Sequence, residues 1–189
     1  MTTLAAIQGD GWAVIGCDSR SSDDNGRPMD LATHKIIENN GILIAGSGSS
    51  RGSNILQFGW KPPKPTVNEN LDKFMTQKFI PKMRQVFIDA GYDMKEDGDA
   101  AEHDSSFIIV VRGVIYPVFE DYSWDRDVNG IYFSGSGGDI ALGVMESYCH
   151  GGIPTSPEDA EIAVNAAIEV AAKWDIHTAL PVVVRTQYA

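Results

Sequence analysis

The stretch MTTLAAIQGDGWAVIGCDSR, residues 1 to 20, sets the frame for the whole chain. Residues 2 to 8 and 12 to 18 are two short runs of β-branched and small apolar residues. Gly9, Asp10 and Gly11 between them have the chemistry of a three-residue hairpin loop. Centring the turn on Asp10 brings Thr2 opposite Asp18, and directly opposed residues of an antiparallel pair share a face with Cβ atoms about 5 Å apart. In that register Leu4, Ala6 and Val14 lie on one face and Ala5, Ile7 and Ile15 on the other. Apolar residues on both faces predict strands covered on both sides. Two threonines directly behind Met1 commit this end of the chain to a sheet rather than to a polar tail.

The remaining composition fits one globular domain over residues 1–189. The chain has 189 residues, 43% hydrophobic and 22% charged, enough to bury a core without disulfides or a structural metal. A formal net charge of -11 repels phosphates, so neither nucleic acid nor an anionic membrane is an expected partner. Cys17 and Cys149 stand far apart with no CxxC or Cys/His cluster, which suits a reducing, cytoplasmic location. No apolar run reaches the roughly 18 residues of a membrane span, and no basic and apolar leader precedes the first strand. His34, His103, His150 and His177 share no ligand spacing, so no metal and no cofactor is expected.

Further along, residues 19 to 30 read as a polar loop, and THKIIENNGILIAGSGS as a second hairpin turning at Asn-Asn-Gly. A short helix from Ser50 to Phe58 is stopped by the prolines of GWKPPKP. Val67, Leu71, Phe74, Met75, Phe79, Met83, Phe87 and Ala90 follow helical spacing. Pro81 within that stripe predicts a kink or a split. The stripe itself reads as core or subunit contact. An acidic loop from Asp93 to Asp104 precedes a hairpin turning at Arg112-Gly113, and GIYFSGSGG reads as a strand into a glycine turn. Ile140, Ala141, Val144, Met145 and Tyr148 mark one more helix. Another opens at TSPEDAE, with Ser156 as N-cap, Pro157 at the first position and acids in the first turn. LPVVVRTQ supplies a last strand. Strands, helices, strands, helices, strand, with hairpins and no βαβ alternation, predict an α+β fold in which paired antiparallel sheets lie between helices.

Chemistry converges on Thr2. With Met1 removed, Thr2 would carry a hydroxyl and a free α-amine on one residue, and that amine titrates near 7.7 to 8.0, about neutral pH. It could take the hydroxyl proton, through a water, and activate an otherwise weak nucleophile. Asp18 on a covered sheet needs a cation, and Lys35, ahead of the apolar pair Ile36-Ile37, is the candidate. An ionised lysine there favours the reactive forms of the hydroxyl and the amine. The plainer alternatives are Thr2 and Thr3 as mere strand formers, Asp18 as a solvated strand end, and Lys35 as a surface lysine.

These segments together, TTLAAIQGDGWAVIGCDSR, HKII, ILIAGSGS, SGSGGDIALGVMES and AAKWDIHTA, resemble the catalytic β-subunits of the proteasome and their simpler bacterial relatives, members of the N-terminal-nucleophile hydrolases. The resemblance implies a four-layer αββα sandwich and a threonine endopeptidase. It casts Thr2 as nucleophile, Asp18 and Lys35 as its charged partners, and Gly46 as the oxyanion-hole glycine. Ser136 and Asp175 fall where that family orients the terminal amine, and Thr178 stands where many members have serine. Ser21, Thr33, Ile44 and Gly48 would line the specificity pocket, with Ile44 favouring an apolar P1 side chain. It also implies self-association into closed rings, polypeptide substrates and an AAA+ unfoldase. One departure is that the family's first long helix is replaced here by a short one and GWKPPKP.

Other readings compete. Met1 would acylate Thr2, so an active enzyme must lack it. Methionine aminopeptidase is expected to remove it, since the next side chain is small. A chain that kept Met1 would be a catalytically silent subunit with a structural or assembly role. Gly48-Ser49-Ser50-Arg51-Gly52 fits GxSxG, and with His177 downstream suggests a serine esterase using Ser50. That fold requires parallel βαβ units, which the hairpins here do not provide. GSGGDIALG is not GxGxxG and reads as a glycine turn at a helix start.

Overall fold

Two antiparallel four-stranded sheets lie face to face, and each carries helices on its outer side. The computed structural model describes residues 1–23, 25–93 and 101–189. Most of the acidic loop expected between Asp93 and Asp104 lies outside the described residues. The first sheet runs in the order β10 (Val183–Tyr188), β2 (Trp12–Cys17), β1 (Leu4–Gly9), β9 (Ile131–Ser134). The second runs β5 (Ile36–Asn39), β6 (Ile42–Gly48), β7 (Ser105–Val111), β8 (Val114–Val118). Helices α4 (Gly138–Tyr148) and α5 (Pro157–Trp174) cover the first sheet, and α1 (Ser50–Phe58), α2 (Leu71–Phe74) and α3 (Ile80–Asp89) cover the second. This is the αββα layering expected from the sequence.

Strands with two apolar faces are what allow this arrangement. Leu4, Ala6, Ile15 and Cys17 meet Leu43, Ala45, Ile108 and Val110 between the sheets, while Ala5, Ile7 and Val14 face α4 and α5. Each fully buried Leu or Ile contributes about 1.5–3 kcal/mol. On α5 the inward residues Ala160, Ala163, Val164, Ala167, Ile168 and Ala171 recur at helical spacing and are all fully buried. The helix closes over Gly16 because that residue has no side chain: an added Cβ would lie 2.4 Å from Val164 Cγ1 and 2.8 Å from Ile168 Cδ1. Ser156 caps the helix as expected, its Oγ accepting from Asp159 N at 3.1 Å.

The second helical stripe is not split at Pro81: the backbone stays helical through Phe74, Met75, Phe79 and Ile80. A π turn, Met75–Phe79, joins α2 to α3, with Ile80 N donating to Met75 O, and it comes just before the proline that cannot continue the ordinary ladder. Phe74, Met75, Phe79, Met83 and Phe87 thereby share one buried face under the second sheet.

The first hairpin departs from expectation by one residue. Leu4 stands opposite Cys17 and Gly9 opposite Trp12, so the turn is the two-residue Asp10-Gly11, with Gly11 at φ 74°. Val14 and Ile15 therefore exchange the faces predicted for them, and Thr3 rather than Thr2 stands across from Asp18. A one-residue slip flips every side chain, and with both faces apolar the hydrophobic pattern could not select the register; the turn does. The loop expected at 19 to 30 also contains structure, a small hairpin of β3 (Arg20–Ser22) and β4 (Pro28–Asp30).

Candidate active site

Three strand ends converge on one point. Thr2 precedes β1, Asp18 follows β2 and Lys35 precedes β5. Thr2 is buried. The Asp18 side chain is fully buried and that of Lys35 is 6% exposed, with Nζ to Oδ1 at 2.6 Å. Asp18 Oδ1 also accepts from Thr3 N at 2.9 Å, and Oδ2 from Arg20 N at 3.0 Å and Ala179 N at 3.3 Å. These donors satisfy a carboxylate that burial would otherwise penalise heavily. Lys35 Nζ donates also to the Met1 carbonyl, 3.3 Å away. Burial pulls the Lys35 ammonium below the usual lysine range, and attraction to Asp18 opposes that pull without cancelling it.

A second arm reaches Thr2 from the opposite side. Asp175 caps the C-terminal end of α5, its N–H donating to Ala171 O at 2.8 Å. Its Oδ2 accepts from Ser136 Oγ at 2.7 Å and Thr178 Oγ1 at 2.6 Å, and Oδ1 from His177 N at 3.2 Å. Burial pushes the Asp175 carboxyl up, but the bonds from Thr178, Ser136 and the His177 backbone outweigh it and hold it below the ordinary aspartate range. Ser136 Oγ lies 3.4 Å from the Thr2 carbonyl oxygen. The glycine turn ahead of α4 makes this approach feasible: Gly135 has φ 86°, and a Cβ there would fall 2.0 Å from Thr2 O.

Gly46 on β6 lines one cleft with Thr2 and Lys35, and a Cβ on it would meet Ser53 Oγ at 2.3 Å. Ser21, Thr33, Ile44 and Gly48 line the same cleft, so the seven residues expected for catalysis and the four expected for specificity form one continuous region around Thr2. Sequence reasoning missed the polar wall that α1 gives this cleft, Ser53, Asn54 and Gln57, whose helical spacing after Gly48 was the available signal. It also missed Thr3. That side chain is fully buried, with Oγ1 2.5 Å from Thr178 Oγ1.

Ser50 and His177 are not brought together. Ser50 is the exposed first residue of α1, while His177 Nδ1 lies 3.2 Å from Ser22 Oγ. All strand pairings among the described residues are antiparallel, unlike the parallel sheet a nucleophile elbow needs.

Comparison with solved structures places the fold. BPH from Thiobacillus denitrificans in complex with epoxomicin matches with a TM-score of 0.77 at 21% identity, over 99% of this chain and 98% of that one. The same protein without that compound gives 0.76 at 21% identity and the same coverage. Eukaryotic HslV from Trypanosoma brucei gives 0.67 at 16% identity, with 100% of both chains covered. No protein-family model matches the sequence, and the search of curated proteins found no match. The chain has the N-terminal-nucleophile hydrolase fold. Its four-layer αββα architecture is shared with BPH and HslV along nearly the whole of each chain.

Proposed function

We propose that the chain, with Met1 removed, is a threonine endopeptidase of proteasome type. The observation that carries this reading is the position of Thr2 between two polar arms, the buried Lys35–Asp18 pair and the Ser136–Asp175–Thr178 network. In this reaction Thr2 Oγ1 attacks the scissile carbonyl carbon while its proton passes through a water to the Thr2 α-amine. Lys35, kept cationic by Asp18, stabilises the developing alkoxide. The Gly46 N–H donates to the oxyanion of the tetrahedral intermediate. Collapse breaks the C–N bond, and the protonated Thr2 amine returns its proton to the leaving amine. The remaining ester on Thr2 is cleaved by a water that the same amine deprotonates. Ser136, Asp175 and Thr178 orient that amine, and Ser21, Thr33, Ile44 and Gly48 hold the P1 side chain, which is apolar.

By analogy of fold, the chain assembles into rings that enclose these sites, takes unfolded polypeptide and is fed by an AAA+ unfoldase in the cytoplasm. Among the described residues no helix is long and apolar enough to cross a membrane. The alternative, a silent subunit with a structural role, belongs to a chain that keeps Met1, because an acylated Thr2 nitrogen cannot act as the base. Intact-mass measurement and hydrolysis of fluorogenic peptides by chain beginning at Thr2, against the Thr2→Ala variant, decide between them. Cleavage by the former alone supports the peptidase; none by either, in assembled protein, supports the scaffold.

A further inference from the structure

Thr3 touches both arms of the site. Its backbone N donates to Asp18 Oδ1 at 2.9 Å and its carbonyl accepts from Asp18 N at 3.2 Å. Its side chain meets Thr178 Oγ1 at 2.5 Å.

Proton counting fixes the direction of that contact. An ionised Asp175 only accepts, so Thr178 and Ser136 each spend their single hydroxyl proton on Oδ2, at 2.6 and 2.7 Å. Thr178 can then only accept from Thr3. The chain of hydroxyls is polarised one way, from Thr3 through Thr178 into Asp175, and each donated bond strengthens the next. Space is closed around it. Thr3 is fully buried, and a Cβ on Gly137 would lie 2.1 Å from Thr3 Oγ1, 2.9 Å from Thr178 Oγ1 and 3.1 Å from Asp175 Oδ2.

We infer that Thr3 is a positioning residue for the terminal amine, acting through Thr178 and Asp175; the inference rests on the peptidase reading for its consequence in catalysis. Among the described residues, the titratable groups around Thr2 are Asp18 and Lys35 on one side and Asp175 on the other, with His177 donating its backbone N–H to Asp175 and with His34, Asp23 and Asp104 lining the clefts that Thr2 borders. Without the Thr3 proton, Thr178 donates less strongly. The Asp175 carboxylate is then less neutralised, and the nearby amine holds its proton more tightly.

The test uses full chain beginning at Thr2, as wild type, Thr3→Val, which removes the hydroxyl at constant shape, and Thr3→Ser, which keeps it. Should Val fail to fold, Thr3→Ala against Thr3→Ser gives the same contrast. One measurement is the pH dependence of thiourea formation at the α-amine with a small isothiocyanate, read by mass spectrometry, which needs no turnover. The other is the pH profile of kcat on a fluorogenic peptide. Thr3→Val is expected to move the amine titration and the acid limb of kcat to higher pH, and to lower kcat about tenfold at neutral pH with KM little changed. Thr3→Ser is expected to restore all three. A Thr3→Val protein that folds and titrates like wild type overturns the inference, as does a Ser variant as impaired as Val. If no variant cleaves peptide but the amine titration still moves, the peptidase reading fails and the role of Thr3 stands.

Discussion

Lys35 Nζ stands 2.6 Å from Asp18 Oδ1, and both side chains are almost wholly withdrawn from solvent. A buried pair of this kind is weak evidence of stability, because desolvation offsets attraction, yet removing one partner strands the other charge. Asp18→Asn is expected to destabilise the fold by about 3–5 kcal/mol and to abolish peptide cleavage. Replacing both, Asp18→Leu with Lys35→Met, is expected to recover most of the stability and none of the activity. Urea unfolding alongside peptide hydrolysis checks both, and an active double variant would remove the pair from the mechanism.

Thr2 carries the second prediction. Thr2→Ala in Met-free protein is expected to lose activity by about 10⁴-fold or more, and Thr2→Ser to keep a measurable part. A peptide epoxyketone, whose ketone and epoxide can take up one hydroxyl and one amine, is expected to add its mass to Met-free wild type but not to protein retaining Met1.

Gly137 tests the crowding around Asp175. A methyl group there falls 2.1 Å from Thr3 Oγ1, so Gly137→Ala is expected to be destabilised by about 1–3 kcal/mol through overpacking. Its kcat is expected to fall while KM changes little. Thermal unfolding and steady-state kinetics give the answer, and an unaffected variant would show that the hydroxyl network tolerates displacement.

His103 is expected to contribute to the pH dependence of stability in mild acid. Its ring is buried among Phe87, Tyr92, Phe107 and Tyr122, and neither ring nitrogen has a hydrogen-bond partner among the described residues. Burial pushes the imidazole down to about 4, against the opposing pull of Asp93, Asp121 and Asp104. Because the folded value lies below the unfolded one of about 6.5, the unfolded chain takes up a proton first as pH falls. The contribution is therefore complete above pH of about 6.5 and is lost progressively down to about 4, reaching an order of 3 kcal/mol. Denaturant midpoints measured across that range for wild type and His103→Phe check it. The variant is expected to show a flatter profile.

Much of this was legible in the sequence because local signals agreed with the global fold. The apolar double face of residues 4–7 announced a covered sheet, Ser156 and Pro157 announced a helix start, and the segment around Asp175 entered the candidate site only through its resemblance to known subunits. The hairpin register was not legible, since two apolar faces leave the choice to turn geometry. The strand pair Arg20–Ser22 and Pro28–Asp30 carries no apolar alternation that could have betrayed it. Thr3 was hidden for a different reason: its hydroxyl partner lies 175 residues away in the chain, beyond the reach of any local pattern.

The two-residue bend at Asp10-Gly11 sits at the far end of the first hairpin, roughly 25 Å of extended strand from Thr2. It nonetheless dictates which threonine is locked to Asp18. An inserted residue that left the bend at two residues would slide one strand past the other and hand the lock to a different side chain. The chemistry at one end of the ribbon is thus indexed by a bend at the other, and an insertion that touches none of the site's residues is expected to silence it.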